Sequence, residues 1–324
     1  MLSAYDYDLP ASAIAQTPVE PRDSARLLVA IDPAGRVEHK RVADLPDVLD
    51  DGDLLVVNDT RVLPARLHLR KPTGGSVEVL LLEELNGHWE ALVRPGRRVA
   101  PGTVLDSASG LTVEVGEHLD GGRRRVRVQG DIAAGGEVPL PPYIHAPLAD
   151  PERYQTVYAR QPGSVAAPTA GLHLTDAVLD GCRARGIDVL SVDLAVGLDT
   201  FRPVTADRVE DHAMHSERYQ VPAATLDACR RAERVVAVGT TAVRALESAA
   251  RGPLEGRTSL FIHGDYPFQV VDVLLTNFHM PRSSLLLLLA SFAGERWRDL
   301  YDVALAEHYR FLSFGDAMLV ARNR

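Results

Sequence analysis

Val235-Val236-Ala237-Val238-Gly239-Thr240-Thr241-Ala242-Val243-Arg244-Ala245-Leu246 reads as a strand, a turn and the start of a helix. An unbroken apolar run ending at a glycine suits a strand covered on both faces, and the pattern after the turn continues as a helix through Ala250. Free N–H groups at a helix start attract anions, and the Thr240 and Thr241 hydroxyls add donors, so a carboxylate or phosphate fits there. Plain capping by either threonine explains the same residues equally well. Working outward, Thr175 can N-cap a helix running to about Arg185, Gly186 can end it, and 187–194 reads as a strand. Ser283 or Ser284 can cap a helix over the leucine run, with Gly294 after it, and 295–309 reads as one more helix. Near the start, 53–57 is a short buried strand turning at Asn58-Asp59. From 63 to about 142 the style differs: short β-rich pieces such as 76–82, 89–93, 111–115 and 123–128 are broken by Gly and Pro, without helical periodicity. The expected fold class is α/β: a barrel-like α/β core over 1–62 and 151–324, with an inserted all-β barrel over 63–150.

Composition narrows the function classes. The chain has 324 residues, 46% hydrophobic and 24% charged, enough to bury a large core without disulfides. Two cysteines, Cys182 and Cys229, exclude a disulfide scaffold and a four-cysteine metal site. Neither a signal peptide at 1–20 nor a membrane-spanning apolar run is visible, so a cytoplasmic protein without membrane contact is expected. The formal net charge is −9. Residues 61–130 carry a local +3 and the remainder −12, so total charge does not point to RNA, although local patches decide phosphate binding.

Several short stretches could carry chemistry. No GxGxxG or GxxxxGK[ST] pattern occurs, which argues against classical dinucleotide and P-loop sites. The turn Ala166-Ala167-Pro168-Thr169-Ala170-Gly171-Leu172-His173 lets a ligand approach the backbone and ends in a histidine that is either an acid/base group or simply the start of a helix. Asp211-His212-Ala213-Met214-His215-Ser216-Glu217, read as a strand, puts His215, Glu217 and Tyr219 on one face; a polar pocket wall is favoured there over a metal site, and no metal is expected. Thr276-Asn277-Phe278-His279-Met280-Pro281 could present Asn277 and His279 to a pocket, or be turn chemistry alone. Asn58-Asp59-Thr60-Arg61 is a turn or a ligand loop. Strand alternation places Arg123, Arg125 and Arg127 on one face, an arginine stripe within the insert.

In combination, these strings resemble the S-adenosylmethionine:tRNA ribosyltransferase-isomerase family of queuosine biosynthesis, nearly end to end. The resemblance is carried by Tyr7-Asp8-Leu9-Pro10, Arg22-Asp23-Ser24-Ala25-Arg26-Leu27, Asn58-Asp59-Thr60-Arg61, Pro139-Leu140-Pro141-Pro142-Tyr143-Ile144 and Arg153-Tyr154-Gln155-Thr156. It continues through the turn ending at His173, Met214-His215-Ser216-Glu217, Gly239-Thr240-Thr241, Thr276-Asn277-Phe278-His279 and Tyr309-Arg310-Phe311. It implies transfer and isomerisation of the ribosyl part of S-adenosylmethionine onto 7-aminomethyl-7-deazaguanine in tRNA, giving epoxyqueuosine and releasing adenine and methionine. S-adenosylmethionine would be a co-substrate rather than a resident cofactor, tRNA the partner, and the cleft between the domains the binding place. The implied catalytic residues are His173, His215, Glu217 and His279. The implied substrate-binding residues are Asn58, Asp59, Arg61, Tyr143, Thr169, Gly171, Thr240, Thr241 and Asn277. The pattern departs at Asp193, Ala195 and Asp199, where the family carries Thr, His and Gly, and at Val273 and Leu174, where it carries Gly and Phe. Two added carboxylates suggest an altered pocket, so two alternatives stand beside the family activity: a diverged enzyme using S-adenosylmethionine on a small-molecule acceptor, and a non-catalytic binder of an adenosyl ligand or RNA.

Overall fold

The structure is a computed structural model that describes residues 1–197, 204 and 206–323. The chain begins with β1 (Arg26–Ala30), β2 (Glu38–Arg41), the short helix α1 (Leu45–Val48), β3 (Asp53–Asn58) and β4 (Thr60–Val62). Then follow β5 (Arg66–Arg70), β6 (Ser76–Leu85), β7 (His88–Arg94), β8 (Thr103–Asp106), β9 (Thr112–His118), β10 (Arg124–Gln129), α2 (Ile132–Gly135), β11 (Gly136–Glu137) and β12 (Gln161–Ser164). The second half is α3 (Asp176–Ala184), β13 (Asp188–Leu194), β14 (Glu217–Gln220), α4 (Ala223–Arg231), β15 (Arg234–Val238), α5 (Thr240–Ala249) and β16 (Glu255–Thr258). It closes with β17 (Val273–Asn277), α6 (Ser284–Ala293), α7 (Arg296–Ala306) and β18 (Ala317–Ala321). No helix among the described residues is long and apolar enough to cross a membrane.

Two compact units emerge. The larger comprises Met1–Thr60, Pro141–Gln161 and Ala167–Arg324; the smaller comprises Arg61–Leu140 and Pro162–Ala166, whereas the sequence reading ends the insert at 150. In the smaller unit six antiparallel strands close on themselves in the order β5-β6-β7-β10-β9-β8, with β8 returning to β5 at Asp106 and Arg70 and β11 added outside β5. Period-two alternation fills the barrel with Leu67, Leu69, Val77, Val79, Val113 and Val115. Arg124 turns inward, and its guanidinium donates to the carbonyls of Gly116 and Val99, which satisfies a buried charge with backbone oxygens. Its neighbours face out, as alternation requires, but they do not make a free cationic stripe. Arg123 pairs with Glu90 at 3.0 Å, Arg125 with Glu117 at 2.8 Å and Arg127 with Glu114 at 3.7 Å. Cross-strand carboxylates thus offset the charge that the linear sequence left uncompensated.

The larger unit is built on a nine-stranded mixed sheet in the order β16-β14-β13-β3-β15-β17-β18-β1-β2. Its centre, β13-β3-β15-β17, is parallel throughout. Parallel strands are covered on both faces, which is why β3, β15 and β17 read as near-continuous apolar runs. The caps are where the sequence puts them: Thr175 Oγ1 accepts from Val178 N–H ahead of α3, and Ser283 Oγ from Leu286 N–H ahead of α6. Val273 and Leu174, two of the departures from the family pattern, lie in the central apolar core, and both cysteines are buried, with burial pushing each thiol up to about 11.

The helix α5 is anchored at its far end by Glu247, which is fully buried. Its carboxylate accepts the backbone N–H of Gln269, Val270 and Val271 at 3.0, 2.9 and 3.3 Å and pairs with Arg251 at 2.6 Å. Replacing Glu247 with Ala strands three N–H donors and one guanidinium. We expect a loss of about 3 kcal/mol in urea-unfolding free energy with native secondary structure retained in circular dichroism.

Candidate active site

Four parallel strands end at one edge of the sheet, and their carboxyl ends carry Asn58, Leu194 to Val196, Gly239 to Thr241, and Asn277 to His279. Open α/β sheets bind ligands outside this edge, because loops and helix starts leave backbone groups unpaired there. A cleft of about 340 Å³ opens here, walled by Thr169, Ala170, Val196, Gly239, Thr240, Thr241, Asn277 and His279. A second hollow of about 340 Å³ continues from it past Tyr143, Phe278, Ser283 and Ser313, sharing Thr169, Asn277, His279 and Leu285. Every lining residue belongs to the larger unit.

Gly239 has φ 86°, a conformation that glycine adopts without strain, and it turns the chain sharply from β15 into α5. No side chain caps α5, so the N–H groups of its first turn face the cleft at the positive end of the helix dipole. Beneath them Asn58 is completely buried with its amide fully used. Oδ1 accepts from Leu194 N–H at 3.1 Å and Thr60 N–H at 3.3 Å, and Nδ2 donates to the Leu194 carbonyl at 3.0 Å and to Thr241 Oγ1 at 3.1 Å. Asn58, expected to touch substrate, therefore ties three elements together instead. Because Thr241 Oγ1 accepts from it, the threonine hydroxyl keeps its own hydrogen for a ligand.

Asn277 is held from two sides. Its Oδ1 accepts from Thr169 Oγ1 at 2.8 Å, and its Nδ2 donates to His173 Nε2 at 3.1 Å. His173 lies behind Asn277 and does not line the cleft. Burial, reinforced by Arg310, Arg153 and Arg22, pushes its imidazole down to about 3, so it is neutral and accepts at Nε2. His279 does line the cleft. It is buried and pushed down to about 3 by that burial; Nε2 shares a hydrogen bond with Thr276 Oγ1 at 2.9 Å, and its backbone is clamped by the hydroxyls of Tyr301 and Tyr7. Tyr143 donates or accepts with Ser313 Oγ at 2.7 Å in the second hollow. Thr276, Tyr301, Tyr7 and Ser313 were not singled out in the sequence reading; Thr276 and Tyr7 carried a signal, as parts of Thr276-Asn277-Phe278-His279 and Tyr7-Asp8-Leu9-Pro10.

The remaining candidates sit elsewhere. The segment expected as a strand from 211 to 217 becomes one only at Glu217, so His215 is exposed on an irregular lead-in and does not share a face with Glu217. Glu217 is buried against Arg244, and its other oxygen accepts Gly197 N–H at 3.0 Å, which braces the chain next to Val196. Gly171 admits no side chain because a Cβ would meet the Tyr158 hydroxyl 1.9 Å away; this is close packing rather than room for a ligand. Asp59 and Asp193 lie side by side beyond the cleft lining. Burial, and for Asp59 also Asp193, raises both carboxyls, while Arg218 pairs with Asp193 at 2.9 Å. Ala195 donates its N–H to the Arg218 carbonyl, and neither it nor Asp193 reaches the cleft. Arg61 belongs to the smaller unit, and Asp199 lies outside the described residues. Among the described residues, no three His, Cys, Asp or Glu side chains gather as a metal site would require.

Both buried histidines make stability depend on pH. Unfolded, an imidazole titrates near 6.5; folded, these titrate near 3. Between those values the unfolded chain binds more protons, so stability falls as pH drops through this window. Each histidine contributes a slope of up to about 1.4 kcal/mol per pH unit. Urea unfolding from pH 7 to pH 5 should show the combined slope, and His173→Asn should remove about half of it.

The comparisons agree along the whole chain. The model of a queuosine biosynthesis protein family matches residues 2–320. An S-adenosylmethionine:tRNA ribosyltransferase-isomerase of Rubrobacter xylanophilus is 53% identical, covering 97% of this chain and 96% of that protein. Its namesake in Thermus thermophilus is also 53% identical, covering 98% and 99%. The crystal structure of an S-adenosylmethionine tRNA ribosyltransferase from Thermotoga maritima aligns with a TM-score of 0.56 at 38% identity, covering 98% of this chain and 99% of that one.

Proposed function

The chain belongs to the queuosine biosynthesis protein family, and from that membership we propose that it is an S-adenosylmethionine:tRNA ribosyltransferase-isomerase acting in the cytoplasm. It transfers the ribosyl part of S-adenosylmethionine to 7-aminomethyl-7-deazaguanine in tRNA, rearranges it to the epoxycyclopentane of epoxyqueuosine, and releases adenine and methionine. The observation that carries this reading is identity of about half the residues over nearly the full length of relatives bearing that name.

The cleft chemistry is consistent with it. The first turn of α5, with Thr240 and Thr241, offers N–H and O–H donors to the methionine carboxylate. Asn277, fixed by Thr169 and His173, presents its remaining amide valences to the adenosyl part. A sulfonium acidifies the neighbouring carbon, so a modest base suffices to begin elimination. His279 is the one imidazole among the cleft-lining residues, uncharged at neutral pH and withdrawn from water. It is placed to take that proton and to pass it to the departing adenine. Glu217, bound to Arg244 and Gly197, holds the cleft wall rather than the substrate. The ion pair of Asp193 with Arg218, away from the cleft, offsets one of the two carboxylates that favoured a small-molecule acceptor.

Incubating the protein with S-adenosylmethionine and tRNA bearing the aminomethyl-deazaguanine base should release adenine and methionine and raise the tRNA mass by the epoxycyclopentane group. Adenine release without a tRNA mass gain would assign another acceptor. His279→Gln should lower kcat about 10²- to 10⁴-fold with little change in KM, as loss of proton transfer does.

A further inference from the structure

Three arginines from distant parts of the chain converge beside the cleft. A shallow depression open to solvent is lined by Arg22 and Arg153 together with Pro18, Leu172, His173 and Ser313. Arg310 flanks it, its terminal nitrogens donating to the carbonyls of Thr17 and Phe314 at 3.2 and 2.9 Å. The depression borders the active site directly: Ser313 also lines the Tyr143 hollow, and His173 bonds Asn277 from behind.

These guanidiniums are aimed mainly by neutral acceptors. Arg22 donates to the carbonyls of Gln155, Glu152 and Leu172 at 2.6, 2.8 and 3.3 Å, and Arg153 to that of Val19 at 2.7 Å. A carbonyl fixes the direction of a guanidinium without cancelling its charge. Four carboxylates stand near these three guanidiniums, and each is exposed, committed elsewhere or further off. Glu20 pairs with Arg153, but its side chain is 67% exposed. Asp316 stands 4.0 Å from Arg310 Nε while its oxygens accept the N–H groups of Arg26 and Arg310. Asp150 and Glu152 act on Arg22 from further off. Burial first, and the neighbouring Arg153 second, hold Arg22 below its ordinary range against the opposing pull of Glu20, Asp150 and Glu152.

Guanidiniums held in place by carbonyls suit a single oxyanion taken by forked donors. An enzyme that modifies a base within tRNA must draw that nucleotide out and hold the backbone beside it. We infer that Arg22, Arg153 and Arg310 seat a backbone phosphate of the tRNA next to the nucleotide being modified. This assignment rests on the proposed function for the identity of the polyanion.

Direct binding tests it. Fluorescence anisotropy with a labelled anticodon stem-loop RNA, titrated at several salt concentrations, should show about tenfold weaker binding for Arg153→Gln and for Arg310→Gln. The slope of log Kd against log salt should fall by about one in each, and Arg153→Lys should restore most of the affinity. The KM for S-adenosylmethionine should stay within about twofold of wild type, since the ligand at this seat is not the co-substrate. Arg22→Gln loses three backbone anchors, so the other two positions carry the test. Unchanged affinity and salt slope in both Gln variants would overturn the inference, as would failure of the wild type to bind RNA. A raised KM for S-adenosylmethionine with unchanged RNA binding would also overturn it, reassigning the seat to a carboxylate. Normal turnover with unchanged slopes would remove the phosphate seat and leave the function standing. Arginine-dependent RNA binding without turnover would do the reverse.

Discussion

The carboxamide of Asn58 is the constraint on which the active-site edge depends. It sits at the end of a central strand with no exposed surface, and both its acceptor positions and both its donors are spent on protein. Two of those bonds go to the backbone of Leu194 on the next strand and one to Thr241 at the helix start. A buried amide with four partners tolerates little displacement, because any shift leaves a polar atom unpaired in a dry interior. The strand ends and the first turn of the helix are thereby fixed before any ligand arrives, which is what an anion site made of backbone N–H groups requires.

The same logic is repeated outward. Asn277 is pinned by Thr169 and His173, His279 by Thr276 and two tyrosine hydroxyls, and the chain beside Val196 by Glu217, which is itself held by Arg244. Most polar residues of this region thus act on one another, and few are left to meet substrate. Keeping both histidines neutral fits a site for a cationic co-substrate, since a buried imidazolium would oppose the sulfonium. The guanidiniums of Arg22, Arg153 and Arg310 stand instead at the adjoining depression, behind His173 and Asn277.

Much of this was legible in the linear chain. The runs at β3 and β15 announced themselves because strands buried on both faces have no need of alternation, and Thr175, Ser283 and Gly294 marked helix ends by local hydrogen bonding and backbone freedom. The alternation of Arg123, Arg125 and Arg127 was readable too, but their partners on neighbouring strands were not, so a neutralised ladder looked like a cationic stripe. His173 and Asn277 are 104 positions apart, and no periodicity reports such a pairing. His215 and Glu217 looked like one face because period two was extended past the point where backbone pairing begins. Residue types pointed to several residues that line the cleft; which of the candidates face it and which stand behind it depended on long-range packing.

The two buried thiols have a practical side. Cys182 and Cys229 are withdrawn from solvent and burial holds both in the protonated form, which does not attack electrophiles. Maleimide chemistry on the folded chain would therefore find nothing to modify until a cysteine is introduced at the surface. A pair of introduced sites, one on the barrel and one on the sheet, would accept fluorophores or spin labels without prior removal of the natural cysteines, so distances between them can be measured in solution on an otherwise native chain.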